Sequence, residues 1–117
     1  MPLPATIQIG SVPYTVVEKS DLHYTDKKGR KQWLNGHVVF PDAEIRVSAD
    51  QAKAVQTVTL WHESLHALLY AAGMDEVPER AVRALGYALV QFVRDNPELV
   101  RLTIGTPDLP PDSETTP

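Results

Sequence analysis

Apolar positions in this chain recur with two periods, and the change of period separates a strand-rich first part from a helical second part. Residues 5–9 (Ala-Thr-Ile-Gln-Ile) and 13–18 (Pro-Tyr-Thr-Val-Val-Glu) are rich in β-branched side chains and are broken by Gly10-Ser11, which predicts a hairpin or two short strands. Residues 20–31 are polar, carry Lys27, Lys28, Arg30 and Lys31, and have a turn signal at Gly29, a pattern that predicts a solvated loop. Trp33, Leu34, Val38, Val39 and Phe40 form the next apolar segment, interrupted by Asn35-Gly36. After a turn at Pro41-Asp42-Ala43, Glu44-Ile45-Arg46-Val47 alternates as a half-buried strand does, so residues 38–47 predict an antiparallel hairpin. One of its strands is a candidate sheet edge, where an extended peptide can add by main-chain hydrogen bonds.

From Ser48 onward the period becomes helical. Ser48-Ala49-Asp50-Gln51 fits a capping box opening a long helix, and Gly73 suits its end because glycine tolerates the left-handed conformation found there. Along that helix Val55, Val58, His62, Leu65 and Leu69 follow at spacings of three and four. Pro78 suits the first position of a second helix reaching about Asp95, with Val82, Leu85, Leu89 and Phe92 on one face. Asn96-Pro97 breaks it, and residues 97–102 predict a short helical turn. Residues 103–117 are rich in Pro and polar side chains and predict a disordered tail. The expected architecture is α+β: a small, mostly antiparallel sheet packed on a long helix and a second helix, in one domain over residues 1–102.

Composition narrows the class of function. A hydrophobic content of 43% suits a soluble core, and the net charge of −4 with scattered basic residues gives no nucleic-acid footprint. No apolar stretch is long enough to span a bilayer. The N-terminus lacks the basic and apolar regions of a signal peptide, so the expected location is the cytoplasm. With no cysteine, any metal must be held by His, Asp or Glu.

That last restriction gives weight to His62-Glu63-Ser64-Leu65-His66, an H-E-x-x-H pattern whose chance expectation in a chain of this composition is roughly one in a hundred. On a helix His62 and His66 lie one turn apart and point the same way, so two imidazoles can hold one ion while Glu63 stands beside it. Two imidazoles and a carboxylate on a core-facing surface are costly to bury unless something coordinates or hydrogen-bonds them. A metal ion does both; imidazole suits Cu, Fe and Ni as well as zinc, and a zinc site with three protein ligands leaves a position for a water whose pKa falls to about 7. Glu63 is then the general base of a zinc hydrolase. His37, isolated upstream, is expected to be an ordinary half-buried side chain.

A third ligand is required, and no histidine follows His66. That excludes the downstream-His pattern of SprT-like proteases, while Leu69 and Ala72 stand where metzincins have Gly and the last His. Asp75, Glu76 and Glu79 remain. Extending the apolar stripe of the second helix back by three places Glu79 on its inward face, which makes it the first choice; Glu76, on the linker, is the alternate.

In these features the chain resembles the zincin superfamily, and within it the compact phage and prophage metallopeptidase-like proteins related to the ImmA/IrrE group. The resemblance spans residues 5–100, and its specific part is the His62-Glu63-Ser64-Leu65-His66 motif; the interval to Glu79 is shorter than is typical of that group. It implies a small α+β fold in which His62, His66 and a downstream Glu bind zinc and Glu63 is catalytic in hydrolysing a protein or peptide substrate. Tyr70, Tyr87 and Arg83 are candidates to stabilise the oxyanion. Two other classes stand beside this one: a catalytically silent zincin-fold protein with a structural zinc, acting by protein–protein interaction, and a metal-free helical interaction domain.

Overall fold

The computed structural model describes residues 1–74 and 76–107. Strands β1 (Thr6–Ile9) and β2 (Val12–Lys19) form the first hairpin, with Gly10 at φ +58° between them. Two short strands, β3 (His23–Thr25) and β4 (Lys31–Trp33), pair as a separate two-stranded sheet. β5 (Gly36–Val39) leads through a single 3-10 turn at Phe40–Asp42 into β6 (Glu44–Ser48), which pairs antiparallel with it. The main sheet has the order β1-β2-β6-β5; only the central β2–β6 pair is parallel, and β5 is an edge.

The expected α+β class and mostly antiparallel sheet are what the chain adopts. One face of the sheet presents Ile7, Ile9, Tyr14, Val16, Val38, Ile45 and Val47, and the last two are fully buried beneath α1 (Lys53–Ala71). That helix turns Leu60 and Ala67 toward the sheet, and burying these side chains stabilises by roughly 25 cal/mol per Å² of apolar surface removed from water. Gln56 fastens the layers at their polar end, its amide donating to Glu18 Oε1 (2.9 Å) and to the Ser48 carbonyl (3.1 Å). Gly73, at φ +75°, ends α1 in a Schellman motif: its N–H donates to Tyr70 O (3.0 Å) and that of Met74 to Leu69 O (2.7 Å).

Helix α2 (Glu79–Asp95) follows directly on Pro78, and α3 (Pro97–Gly105) buries no residue. Helical conformation therefore continues through Thr103–Gly105, where the sequence predicts the start of a tail; residues 108–117 of that tail lie outside the described residues. Among the described residues no helix is long and apolar enough to cross a membrane.

Several local expectations are corrected. Residues 20–31 are no plain loop but contain β3 and the start of β4, ordered by Asp26, whose carboxylate accepts from the backbone N–H of Lys28 and Arg30 (both 2.9 Å). The capping box does not form: α1 begins at Lys53 with Ala52 as its uncapped N-cap. Ser48 is instead the buried last residue of β6, and Gln51 donates to the Asn35 carbonyl (3.0 Å), so both tie the sheet to the start of β5. On α2 the inward line is Val82 and Gly86 with the half-buried Leu89, Val90 and Val93, while Leu85 and Phe92 are exposed.

Candidate metal centre

His62 and His66 project from one side of α1, and Glu79 opens α2 opposite them. His62 Nε2 lies 2.6 Å from Glu79 Oε1, His66 Nε2 lies 2.8 Å from Glu79 Oε2, and the two Nε2 atoms are 3.1 Å apart. These three side chains form a group able to hold a metal ion. The two helices meet here at Gly86, which is buried and faces the backbone of His62: a Cβ there would lie 3.7 Å from His62 Cα, an ordinary contact. Glu79, the first choice in the sequence, is the acidic side chain that stands beside the two histidines. Glu76 is exposed and outside the group, and Asp75 lies outside the described residues.

The donor set fits a divalent cation. Two imidazole nitrogens and two carboxylate oxygens all offer electron pairs toward one small region, an arrangement that is unfavourable unless protons or a cation share it. Burial depresses the His62 pKa against the opposing charge of Glu79, which favours the neutral imidazole that a metal requires.

Glu63 sits beside this group and not within it, its Oε2 3.9 Å from His62 Nε2. It is 8% exposed, lying under β5 on the sheet side of α1. Burial, and after it the negative charge of Glu79, pushes its pKa up to about 8. A cation held by His62, His66 and Glu79 opposes that shift and favours the carboxylate.

His62, Glu79 and the neighbouring Glu63 line a cleft of about 300 Å³ running between α1, α2 and the chain from Trp33 to Gly36. Glu79, Arg83 and Tyr87, at successive turns of α2, form one wall, and Arg83 approaches Glu79 Oε1 to 3.9 Å. Of the three oxyanion candidates, Arg83 and Tyr87 line this cleft, whereas Tyr70 stacks on Phe40 (centroids 4.2 Å apart) away from it. His37 is exposed, not half-buried; it stands on β5 across from Arg46 and is not part of the group.

Sequence reasoning missed the opposite wall. Asn35-Gly36 reads as an interruption of an apolar run, yet Gly36 is where β5 meets α1: a Cβ there would lie 2.6 Å from Thr59 Cγ2 and 2.8 Å from Glu63 Cγ. A glycine opening a short strand is the available signal for such a close backbone approach. The chain matches no protein-family model, no curated protein and no solved structure.

Proposed function

We propose that this chain is a zinc-dependent peptidase that cuts a protein or peptide held in extended form along β5. What carries the reading is the convergence of His62, His66 and Glu79, with the buried Glu63 beside them, at the wall of a cleft bordering a sheet edge. On this reading His62 Nε2, His66 Nε2 and the Glu79 carboxylate hold the ion, and the His/His/Glu donor set suits zinc in a catalytic site. When bound, zinc supplies Lewis acidity toward a carbonyl and lowers the pKa of water. Glu63, ionised under the influence of that charge, accepts the proton of the attacking water at its carboxylate and returns it to the leaving amine. Main-chain groups on the outer side of β5 align the substrate backbone by strand addition. The similarity to zincins and to compact phage proteins belongs to the same proposal, as does a cytoplasmic location, which suits a chain without cysteine.

The test is metal content and zinc affinity of the purified, reconstituted protein, followed by hydrolysis of unstructured peptides. Stoichiometric zinc is expected in the parent, lost in His62→Ala, weakened in Glu79→Gln and unchanged in Glu76→Gln; Glu63→Gln should keep the metal and lose hydrolysis. A parent with no zinc above background sinks the reading. Stoichiometric zinc without hydrolysis, or hydrolysis indifferent to Glu63→Gln, leaves a zinc-holding binding protein instead.

A further inference from the structure

The β3–β4 hairpin has no part in holding the metal, yet it ends at the cleft. Trp33, the last residue of β4, is 64% exposed and lines the cleft wall facing α2. Its ring has two neighbours on the hairpin: His23, its partner across the strands, packs against it edge-to-face at 5.5 Å between centroids, and Lys31 Nζ stands 5.4 Å from its centre. The turn beyond is held by hydrogen bonds to Asp26. Besides the two backbone amides, the Asp26 carboxylate accepts from Arg30 Nε and Gln32 Nε2 (both 3.1 Å), and Gly29 takes φ +78° to close the loop. Three cations stand out from this frame. Lys27 and Lys28 have no acidic partner within 4 Å among the described residues, and Lys31 meets only the exposed Asp21 at 3.8 Å.

Charge is concentrated here against the trend of the molecule. Four of the eleven Lys and Arg but two of the fifteen Asp and Glu fall between residues 20 and 33, whereas the chain as a whole carries −4. A positive arm on a negative body, joined to the cleft by an exposed aromatic ring, selects a ligand with anionic groups outside the cleft and an apolar or aromatic group within it. We infer that the β3–β4 hairpin is a recognition arm for an acidic peptide segment, with Lys27, Lys28 and Lys31 meeting its carboxylates and Trp33 its apolar residue next to the cleft. The identification of the ligand as a peptide rests on the peptidase reading of the cleft. Nucleic acid is the less suited partner, because three cations neutralise few phosphates and the net charge of the body repels the rest.

The test separates recognition from catalysis by measuring binding in the full chain carrying Glu63→Gln, with and without zinc. Fluorescence anisotropy follows three labelled probes: a peptide with an apolar pair flanked by Asp and Glu, the same peptide with Lys and Arg in their place, and a single-stranded oligonucleotide of similar length. The acidic peptide should bind at least about tenfold more tightly than the basic one and lose about tenfold on adding Lys27→Glu and Lys28→Glu. Adding Lys31→Gln should weaken it further, and raising the salt should weaken it in the unmodified arm but little in the charge-reversed one. Trp33→Ala should weaken both peptides. Because Lys27 and Lys28 are exposed, circular dichroism should show the reversed arm still folded.

Equal affinity for the two peptides, or affinity unmoved by charge reversal in a folded protein, overturns the inference. So does tighter binding of the oligonucleotide, which would make the arm a nucleic-acid contact. Loss of the peptidase reading looks different: zinc and hydrolysis fail in the parent while selective binding of the acidic peptide persists. Hydrolysis that ignores the charge of the substrate sinks the arm alone.

Discussion

Glu63 is a carboxyl whose burial should be visible in the stability of the metal-free protein. Its pKa rises from an ordinary 4.5 to about 8, chiefly through burial and then through Glu79. Between those values the folded chain holds a proton that the unfolded chain has released, so stability falls as pH rises; the contribution is complete below about 4.5 and gone above about 8. His62 has the opposite sign, since burial lowers its pKa from 6.5 and folding there favours the neutral ring as pH rises toward 6.5. The diagnostic window is therefore about pH 7 to 8, where His62 is largely neutral in both states and Glu63 still titrates. Urea unfolding of the chelator-treated protein should show stability declining across that window. Glu63→Gln should remove the decline and be the more stable protein at its upper end, by an amount on the order of a few kcal/mol. Parallel pH profiles for the two proteins would mean that Glu63 is hydrated and ionised, and no longer a buried group awaiting a cation.

Among the elements, α1 carries two different faces, and the two glycines opposite them should respond in opposite ways to the same change. Gly36→Ala puts a methyl group 2.6 Å from Thr59 Cγ2, 2.8 Å from Glu63 Cγ and 3.2 Å from the Arg46 carbonyl, so β5 or α1 must shift. Overpacking of this kind destabilises by about 1–3 kcal/mol, and it also moves Glu63, so hydrolysis should fall more than zinc affinity. Gly86→Ala meets only ordinary contacts, the nearest at 3.7 Å, and replaces a glycine inside a helix, where alanine is favoured by roughly 0.5–1 kcal/mol. Urea titrations of both variants should show the first clearly weakened and the second unchanged or strengthened; equal losses would mean that α2 approaches α1 at Gly86 as tightly as β5 does at Gly36. The same two residues explain what was legible in the sequence. The helical period of α1 and the spacing of His62, Glu63 and His66 are local signals, and extending the stripe of α2 back to Glu79 reached across the site. Gly86 is invisible to an apolar count, so the apolar spacing runs through Leu85 and Phe92 although α2 is turned toward Gly86. The parallel β2–β6 pairing joins strands with no local mark of partnership, and the polar residues 20–31 hid a hairpin whose order comes from the carboxylate of Asp26.

In the molecule as a whole, the candidate ligands bridge a well-buried layer and a lightly held one. His62 and His66 belong to α1, which lies on the fully buried Ile45 and Val47, whereas α2 buries only Val82 and Gly86, and α3 buries nothing. A cation bound by α1 and Glu79 would therefore act as a clamp on α2, because every opening that releases α2 must give up the Glu79 ligand and most of the affinity for the ion. At a free zinc concentration a hundredfold above its dissociation constant this linkage adds about 2.7 kcal/mol, roughly a hundredfold in the opening equilibrium. Hydrogen exchange should accordingly slow by about that factor along α2 when zinc is added. The β3–β4 hairpin and α3 should be unaffected, because their local openings leave His62, His66 and Glu79 in contact. Glu79→Gln should abolish most of the slowing in α2 even under zinc concentrations that still load the two histidines. Slowing confined to α1 in the parent would locate the third ligand somewhere other than α2. Equal slowing in α2, α3 and the hairpin would show that the molecule opens as one unit, with no separately clamped layer.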